Sequence, residues 1–485
     1  MGDGKIAVLQ ALIPRPSWLA LSALGATWAP LVLAARDLAA GQAQPLALGA
    51  VALRFDGLSL LVAALALAIG TLAALFCGPD LAGRLGEEKI YALVVMLVGA
   101  LTGLACAADL FNLWAWFELV AIASYLVVGL DQRRPAALEA AVKYLAQGAA
   151  GSTLVLVGIA LVLAQAGTLG LDQIRARAAW SPALLAAGAL FVVGFGVKAA
   201  LVPLHAWLPD AYAQAPSGIS ALLSAIVTKA SLVALLRALA ALAGARVTWG
   251  MLLLGFGALN IVAGNLLALR QTRVKRLLAY SSLGQIGYIL LGLGVGLYAG
   301  QPAGAQGGLF HVVTHGLMSG LAFLAAGALI YATADDRRPA AMHDSNPGDI
   351  TVEDLAGAAG RYPLAALALG VAALGLAGLP PLAGFMSKWQ IFVAGAATRD
   401  AAILGLVGFA ALNTVLSLAY YAPLVNALYR VTPSAAVRSG RSLPIAIQAP
   451  LALLALAVLL LGVWPGLASW LTEPAARVVV AMFGG

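Results

Sequence analysis

The stretch LLAAGALFVVGFGVKAALVPLHAWLPD, residues 184–210, decides the fold of this chain. Lys198 lies inside its apolar run, and Pro203 follows five residues later. Proline removes a hydrogen bond within the helix and clashes with the preceding turn, so we expect the helix to break or kink there. At membrane depth such a break is tolerated only against protein or a hydrated cavity. The stretch therefore predicts an interrupted helix inside a membrane protein.

The composition of the whole chain supports a bilayer environment. Of the 485 residues, 62% are hydrophobic and only 10% are charged, whereas roughly a quarter are charged in soluble domains. The net charge of +8 could indicate nucleic acid in a soluble protein, but the basic residues here lie between apolar runs, where membrane topology explains them. We expect a single membrane domain over residues 1–485 and no nucleic-acid partner.

Apolar runs long enough to cross a bilayer, about 20 residues each, succeed one another along the chain. We therefore predict an all-α polytopic protein with about thirteen transmembrane helices. The predicted helices lie near residues 17–36, 57–77, 89–108, 110–130, 137–165, 183–208, 217–243, 248–269, 275–298, 306–332, 362–398, 402–430 and 446–471. No lateral helix is expected after the last span.

Basic residues cluster in alternate loops, which the positive-inside rule assigns to the cytoplasm. Those that mark the loops include Arg133, Arg134, Arg270, Arg273, Lys275, Arg276, Arg438 and Arg441. We expect a multi-pass protein of the inner, cytoplasmic membrane with its N-terminus in the cytoplasm. Because the number of helices is odd, the C-terminus should lie outside. The acidic segment 333–361 is expected to be a solvated cytoplasmic connector.

A second interrupted helix is predicted over residues 362–398, where Pro380 and Pro381 precede Lys388. It lies five helices after the first, so the two should cross the membrane in opposite directions. Interrupted helices at corresponding positions of two halves are the best sequence pointer to a transport site. We predict two inverted five-helix repeats, over residues 89–243 and 248–430.

Two charged side chains inside the spans mark a candidate ion pathway. Glu118 lies mid-span in DLFNLWAWFELVAIASYLVVG, where a charged carboxylate costs at least a few kcal/mol. The structural alternative is a protonated Glu or one that bonds a helix end. Lys229 lies mid-span in a helix with a polar stripe; the small hydroxyls alone favour close helix packing, whereas the lysine favours a hydrated path. The stripe consists of Ser217, Ser220, Ser224, Thr228 and Ser231.

Two histidines share one face of a later helix. His311 and His315 are four residues apart, and Ser319 continues the row. Histidine changes protonation near neutral pH, which suits a proton relay. Metal or haem ligation is the rival interpretation, but haem pairs usually take histidines from two helices, and no acidic or cysteine ligand accompanies these. Side chains that could order water nearby, or simply pack the core, are Tyr280, Ser281, Ser282, Gln285 and Tyr288.

Several of these segments together resemble one family, the antiporter-like proton-translocating subunits of complex I (NADH:quinone oxidoreductase), membrane-bound hydrogenases and Mrp-type sodium/proton antiporters. The match covers most of the chain, and the stretch LHAWLPDAYAQAP, which begins at Leu204, is its most specific piece. The other pieces are RFDGLSLL from Arg54, the Glu118 segment, ALEAAVKYLAQGAAGS from Ala137, VKRLLAYSSLGQIGY from Val274, HVVTHGLMSGLAF from His311 and GLPPLAGFMSKW from Gly378.

The resemblance implies a proton channel in which Glu118 pairs with Lys198. Charge would pass by Lys229, His311 and the His315 region, with His205 in support and Lys388 on the exit side. A buried lysine holds its proton when a glutamate is close and loses it when desolvated alone, so a small movement could become proton transfer. Many relatives have a lysine where this chain has Ser319.

The resemblance also implies the partners. We expect other membrane subunits of a multi-subunit complex, with quinone and NADH chemistry in those partners and no cofactor or metal in this chain. The leading function is a non-redox, proton-translocating subunit of a complex I-like NADH:quinone oxidoreductase. The alternatives are a subunit of an Mrp-type antiporter, which would move Na+ as well, or of a membrane-bound hydrogenase. A solute symporter would need a substrate-shaped polar cluster, and a membrane scaffold or an energy-coupling partner of an uptake enzyme stays open.

Overall fold

The structure is a computed structural model that describes residues 15–42, 46–48, 51–82, 86–131, 133–177, 181–242, 246–333 and 350–484. Of the predicted acidic connector, residues 334–349 lie outside these ranges. Its described end, from residue 350, contains a short 3-10 turn at Glu353–Leu355. Glu353 pairs there with Arg430.

The helices of the described ranges follow one another with short connections, and one hairpin precedes the second helix. In chain order they are α1 (Pro16–Ala39), β1 (Leu46–Leu48), β2 (Val51–Leu53), α2 (Gly57–Leu81), α3 (Glu87–Cys106), α4 (Leu110–Val128), α5 (Pro135–Ala166), α6 (Leu171–Arg177), α7 (Pro182–Lys198), α8 (Leu208–Gln214), α9 (Ser217–Ala241), α10 (Arg246–Ala268), α11 (Val274–Ala299), α12 (Pro302–Thr333), α13 (Ala358–Arg361), α14 (Pro363–Ala377), α15 (Ala383–Ala397), α16 (Ala401–Leu428), α17 (Ala435–Ser439), α18 (Ile445–Val463) and α19 (Ser469–Met482).

The predicted all-α membrane fold is confirmed. Among the described residues, eleven helices are long and apolar enough to cross a membrane. Two further apolar helices are shorter, and each is followed after an interruption by another helix, α7 by α8 and α14 by α15. Together these match the thirteen predicted helices one to one. The interruptions form where proline removes a donor and clashes with the preceding turn.

Three local features differ from the sequence prediction. The two three-residue strands pair antiparallel and dock on the link between α3 and α4; runs this short show no readable alternation. The helix predicted over residues 446–471 ends at Val463, because Trp464 precedes Pro465 and that position disfavours helix. The residues predicted as the end of that span instead begin a separate helix, α19, which packs against α2 and α12.

The helices divide into a buried centre and an exposed rim. Helix α9 is buried along its whole length, and α2, α11 and α12 along most of theirs. Helices α1, α5 and α16 instead have few fully buried side chains. In a bilayer such apolar outer faces meet lipid or neighbouring subunits. The central helices are those that carry Lys229 and the two histidines.

A buried ion pair fastens one end of the centre. Arg237 of α9 donates through Nη2 to Asp56 Oδ1 at 2.9 Å and to the Ala105 carbonyl at 2.7 Å. Asp56 also accepts from the amides of Leu58 and Ser59, so it caps α2. One carboxylate thereby ties α2 and α9 together, and the carbonyl adds the end of α3. This is the local role of the RFDGLSLL segment.

Helices α10 and α11 approach closely through glycines. A Cβ added at Gly264 would lie 2.6 Å from the Cα of Gly284. A Cβ at Gly287 would lie 2.6 Å from the Gly257 carbonyl oxygen. Small residues at such contacts let helix backbones come near each other inside a membrane.

We predict that Gly264→Ala lowers the stability of the protein by about 1–3 kcal/mol, because the added methyl group must push the two backbones apart. The matched control is Gly255→Ala in the same helix, where an added Cβ meets nothing within 4 Å. Thermal unfolding of the purified protein in detergent measures both. Equal melting temperatures for the two variants would contradict the close approach.

Candidate functional site

The first helix interruption follows Lys198 directly. Helix α7 ends at Lys198, Ala200 adopts a positive φ of 56°, and the Val202–Pro203 peptide is cis. Asn260 of α10 holds the unwound segment at two points. Its Nδ2 donates to the Ala200 carbonyl at 2.9 Å, and its Oδ1 accepts from the Val202 amide at 3.0 Å.

Trp207 anchors the far side of the same interruption. Its indole Nε1 donates to the Val197 carbonyl at 2.7 Å, which joins the start of α8 to the last turn of α7. Its ring stacks on Tyr144 of α5 at a centroid distance of 3.9 Å. His205, between the two half-helices, is half-buried, and its Nδ1 has no hydrogen-bond partner.

Lys198 is fully buried beside α4. Its Nζ makes no hydrogen bond and lies 4.4 Å from the ring centre of Phe117 and 5.1 Å from that of Tyr125. Glu118 is half-buried, and its Oε1 also lacks a hydrogen-bond partner. The carboxylate is near enough to act electrostatically on the ammonium group. The two groups nevertheless form no ion pair at 4.0 Å or less in this structure, so the implied Glu118–Lys198 contact is open here.

Lys229 follows a widened turn of α9. Residues Leu223–Val227 form a π-helical turn, a feature that often accompanies functional sites. The Lys229 Nζ donates back to the Ser224 carbonyl within this turn. The Ser224 hydroxyl lies 2.9 Å from the Ser282 hydroxyl of α11. Ser224 of the predicted polar stripe therefore binds Lys229 through its carbonyl and contacts α11 through its hydroxyl.

The two histidines of α12 differ in their surroundings. His311 Nδ1 lies 2.8 Å from the Ser387 hydroxyl, and its Nε2 lies 3.1 Å from the Gln285 side-chain oxygen. His315 is fully buried, and neither ring nitrogen has a hydrogen-bond partner. The two rings stack at a centroid distance of 6.0 Å. Ser319 bonds only within its own helix, to the Gly316 carbonyl.

The second interruption supplies a carbonyl to Lys388. Helix α14 ends at Ala377, and α15 begins beyond Pro380 and Pro381, whose mutual peptide is cis. Lys388 Nζ donates to the Leu376 carbonyl at 2.8 Å. Gln285 Nε2 donates to the same carbonyl at 2.9 Å. Gln285 therefore connects His311 to the atom that binds Lys388.

The remaining candidates take up supporting positions. The Ser281 hydroxyl bonds Tyr421, and the Tyr288 hydroxyl donates to the Ala410 carbonyl at 3.0 Å while its ring faces Lys388. Tyr280 is only partly buried, and its hydroxyl makes no hydrogen bond with any described residue. Both ring nitrogens of His311 hydrogen-bond to side chains. In the described part of the chain, no three His, Cys, Asp or Glu side chains are grouped to hold a metal ion.

Sequence reasoning missed three residues of the site. Asn260 and Trp207 support the first interruption, and this role becomes visible only from their hydrogen bonds in the structure. Lys275 was assigned to a basic loop, but it is buried at the start of α11 and donates to the Ala215 carbonyl at 2.5 Å. Its position one residue inside the helix was the available signal.

The chain is similar in sequence to a known family and to several of its members. The model of the NADH:quinone oxidoreductase/Mrp antiporter transmembrane family matches residues 107–416. The chain is 35% identical over 376 residues to F(420)H(2) dehydrogenase subunit N of Methanosarcina mazei, which covers 75% of this chain and 72% of that protein. It is 36% identical over 356 residues to NADH-quinone oxidoreductase subunit N of Geobacter metallireducens, which covers 73% and 71%.

Solved structures share the fold over almost the whole chain. A chain of respiratory complex I from Thermus thermophilus is 30% identical with a TM-score of 0.74, covering 96% of both chains. A chain of the archaeal membrane-bound sulfane sulfur reductase is 27% identical with a TM-score of 0.81, covering 98% of this chain and 96% of that one. A chain of the Mrp complex from Dietzia sp., 23% identical with a TM-score of 0.82 over 96% and 94%, shows likeness of fold alone.

We predict that Asn260→Ala destabilises the protein by about 1–3 kcal/mol, because the Ala200 carbonyl and the Val202 amide would be left buried without partners. Asn260→Asp would place a carboxylate at a fully buried position facing the Ala200 carbonyl, so it should destabilise the protein at least as much. Thermal unfolding ranks the two variants. An Ala variant as stable as the wild type would show that the interruption does not depend on this side chain.

Proposed function

The chain belongs to the NADH:quinone oxidoreductase/Mrp antiporter transmembrane family, and from this premise we propose that it carries protons through its buried Glu, Lys and His residues. It is an antiporter-like membrane subunit of a complex I-like enzyme, as its similarity to the subunits N of NADH-quinone oxidoreductase and F(420)H(2) dehydrogenase supports. Its partners are other membrane subunits, as in the multi-subunit complexes whose structures it resembles.

One observation supports the proton-transfer proposal: three lysines and two histidines are buried among the helices of the bundle. Lys198, Lys229 and Lys388 are at most 2% exposed, and His311 and His315 are fully buried. Ionisable groups at such depth are costly and usually mark ion pathways. The stacked histidines lie between the helix of Lys229 and the interruption beside Lys388, so they supply the middle of the proposed pathway.

The open Glu118–Lys198 contact is one state of a switch. An approaching carboxylate stabilises the charged form of a lysine, whereas burial alone favours the neutral form. Closure of the contact would load Lys198 with a proton, and opening would release that proton toward Lys229. Because Lys198 lies at the end of a half-helix, a small movement of the interruption changes the distance between the two groups.

We further propose the orientation and the repeats. Each predicted unit holds five helices of which the fourth is interrupted, α7 with α8 in the first and α14 with α15 in the second. Lysine precedes the break in the first unit and follows it in the second, as inversion across the membrane plane requires. The basic loops then face the cytoplasm, and the C-terminus faces outside.

The electron-transfer chemistry belongs to partner subunits in this proposal, and this chain needs no cofactor of its own. A role in an Mrp-type antiporter or a membrane-bound hydrogenase is the alternative, and for the Mrp complex the likeness is one of fold alone. Copurification of the native complex separates these possibilities. Flavin-binding and iron–sulfur subunits in the complex support the oxidoreductase, and their absence from a functional complex would reject it.

We predict that Glu118→Gln or Lys198→Ala abolishes proton translocation while the complex still assembles, because each change removes one member of the switch. Proton movement is measured in sealed vesicles during electron transfer. The matched control is Glu139→Gln, a carboxylate exposed on α5, which should pump normally. Wild-type pumping in both Glu118 and Lys198 variants would reject the proposal.

For Lys388→Ala we predict a large but incomplete loss of translocation, since Gln285 still binds the Leu376 carbonyl and connects it to His311. The same vesicle assay measures it. Failure of the complex to assemble would instead assign Lys388 a structural role. Pumping at the wild-type rate would remove this residue from the pathway.

A further inference from the structure

A cavity opens at the end of the bundle where α4 stops and α5 begins. Its volume is about 320 Å³, and its wall includes Leu130, Arg134, Ala137, Gln214 and Pro216. Its outer part is formed by the exposed Asp131 and Arg133, so the cavity reaches the surface. None of the pathway residues described above lines it.

Lys275 lies immediately behind the inner wall of this cavity. Its Nζ donates to the Ala215 carbonyl at 2.5 Å, and the two neighbours of Ala215, Gln214 and Pro216, line the cavity. Lys275 is only 2% exposed. The charged groups that act on its ammonium are Arg134 at the start of α5 and Asp80 at the end of α2.

Polar groups continue inward from this lysine. The Ser220 hydroxyl lies 3.2 Å from the same Ala215 carbonyl that Lys275 binds. On α11, Ser282 lies seven residues after Lys275, about 10 Å further along the same helix face. Its hydroxyl meets that of Ser224, whose carbonyl binds Lys229. Lys275 thus lies beside the cavity, and the Ser282–Ser224 pair further along α11 leads to Lys229.

We propose that Lys275 and this cavity form a proton entrance to the pathway, with Lys275 taking a proton from water in the cavity and passing it toward Ser282 and Lys229. The step transfers a proton from hydronium to a neutral amine and then from the ammonium to the next acceptor, so charge and atoms balance. The inference rests on the proposed proton-translocating function and adds to it a titratable residue and an access point.

The competing explanation is structural. A lysine near a helix end often satisfies a terminal carbonyl, and Lys275 does this for the turn between α8 and α9. Two substitutions separate the roles. Lys275→Gln keeps a hydrogen-bond donor but does not gain or lose a proton near neutral pH, whereas Lys275→His does.

The experiment measures the rate of proton uptake by the assembled complex in sealed vesicles during electron transfer. Lys275→Gln should lower the rate by roughly 100-fold, the lower range for loss of a positioned proton-transfer group. Lys275→His should recover a large part of the rate. The control Lys143→Gln removes an exposed cation at the same end, paired with Glu139 and Asp210, and should leave the rate unchanged.

Reference variants make each outcome decisive. If Lys198→Gln loses uptake while Lys275→Gln does not, the entrance is wrong and the proposed function stands. If Lys198→Gln also pumps normally, the proposed function itself fails. Equal loss in Lys275→Gln and Lys275→His would assign Lys275 the structural role and overturn the inference.

A second measurement does not depend on changing the lysine. In Leu130→Cys, a bulky membrane-impermeant cationic methanethiosulfonate should react inside the cavity and lower proton uptake several-fold, from one membrane face only. The two native cysteines, Cys77 and Cys106, are buried, and the unsubstituted protein treated alike reports their contribution. Complete labelling that leaves the uptake rate unchanged would overturn the entrance.

Discussion

The cost of a buried ammonium group is the constraint on which this structure depends. Each of the three central lysines lies where a helix is interrupted or widened. Lys198 ends the half-helix α7, Lys388 binds a carbonyl at the end of α14, and Lys229 binds a carbonyl in the π-helical turn. A regular helix uses its carbonyls internally, and the negative end of its dipole lies at its C-terminus. Irregular backbone therefore supplies the oxygens and dipoles that a cation needs in an apolar interior.

Helices from different parts of the chain hold these irregular segments in place. Asn260 belongs to the first helix of the second predicted unit, yet it binds the interruption of the first unit. Gln285 on the next helix binds the interruption of the second unit and His311 together. The close glycine contact between α10 and α11 sets the separation of these two amides. The two interruptions are thus connected through a pair of closely packed helices, α10 and α11.

The sequence predicts the parts of this design that follow from local chemistry. Proline at positions 203, 380 and 381 predicts the interruptions, and the apolar runs predict the spans. Three-residue strands and a π-helical turn leave no comparable signal, because packing rather than propensity decides them. Lys275 appeared to mark topology because it lies among other basic residues at a helix start, as the residues of a basic loop do. Its burial depends on the turn after α8, distant in sequence, and the missing Glu118–Lys198 contact depends equally on tertiary distances.

His315 offers the most direct test of a continuous path through the centre. Its ring stacks on that of His311, and neither of its ring nitrogens bonds another group, so His315→Leu removes a proton carrier without breaking a hydrogen bond. Proton uptake on one face and release on the other are followed separately in sealed vesicles that hold the assembled complex. The account predicts that proton release is lost, while the complex still assembles and keeps the partner subunits that transfer electrons. Release at the wild-type rate would contradict a pathway through this residue.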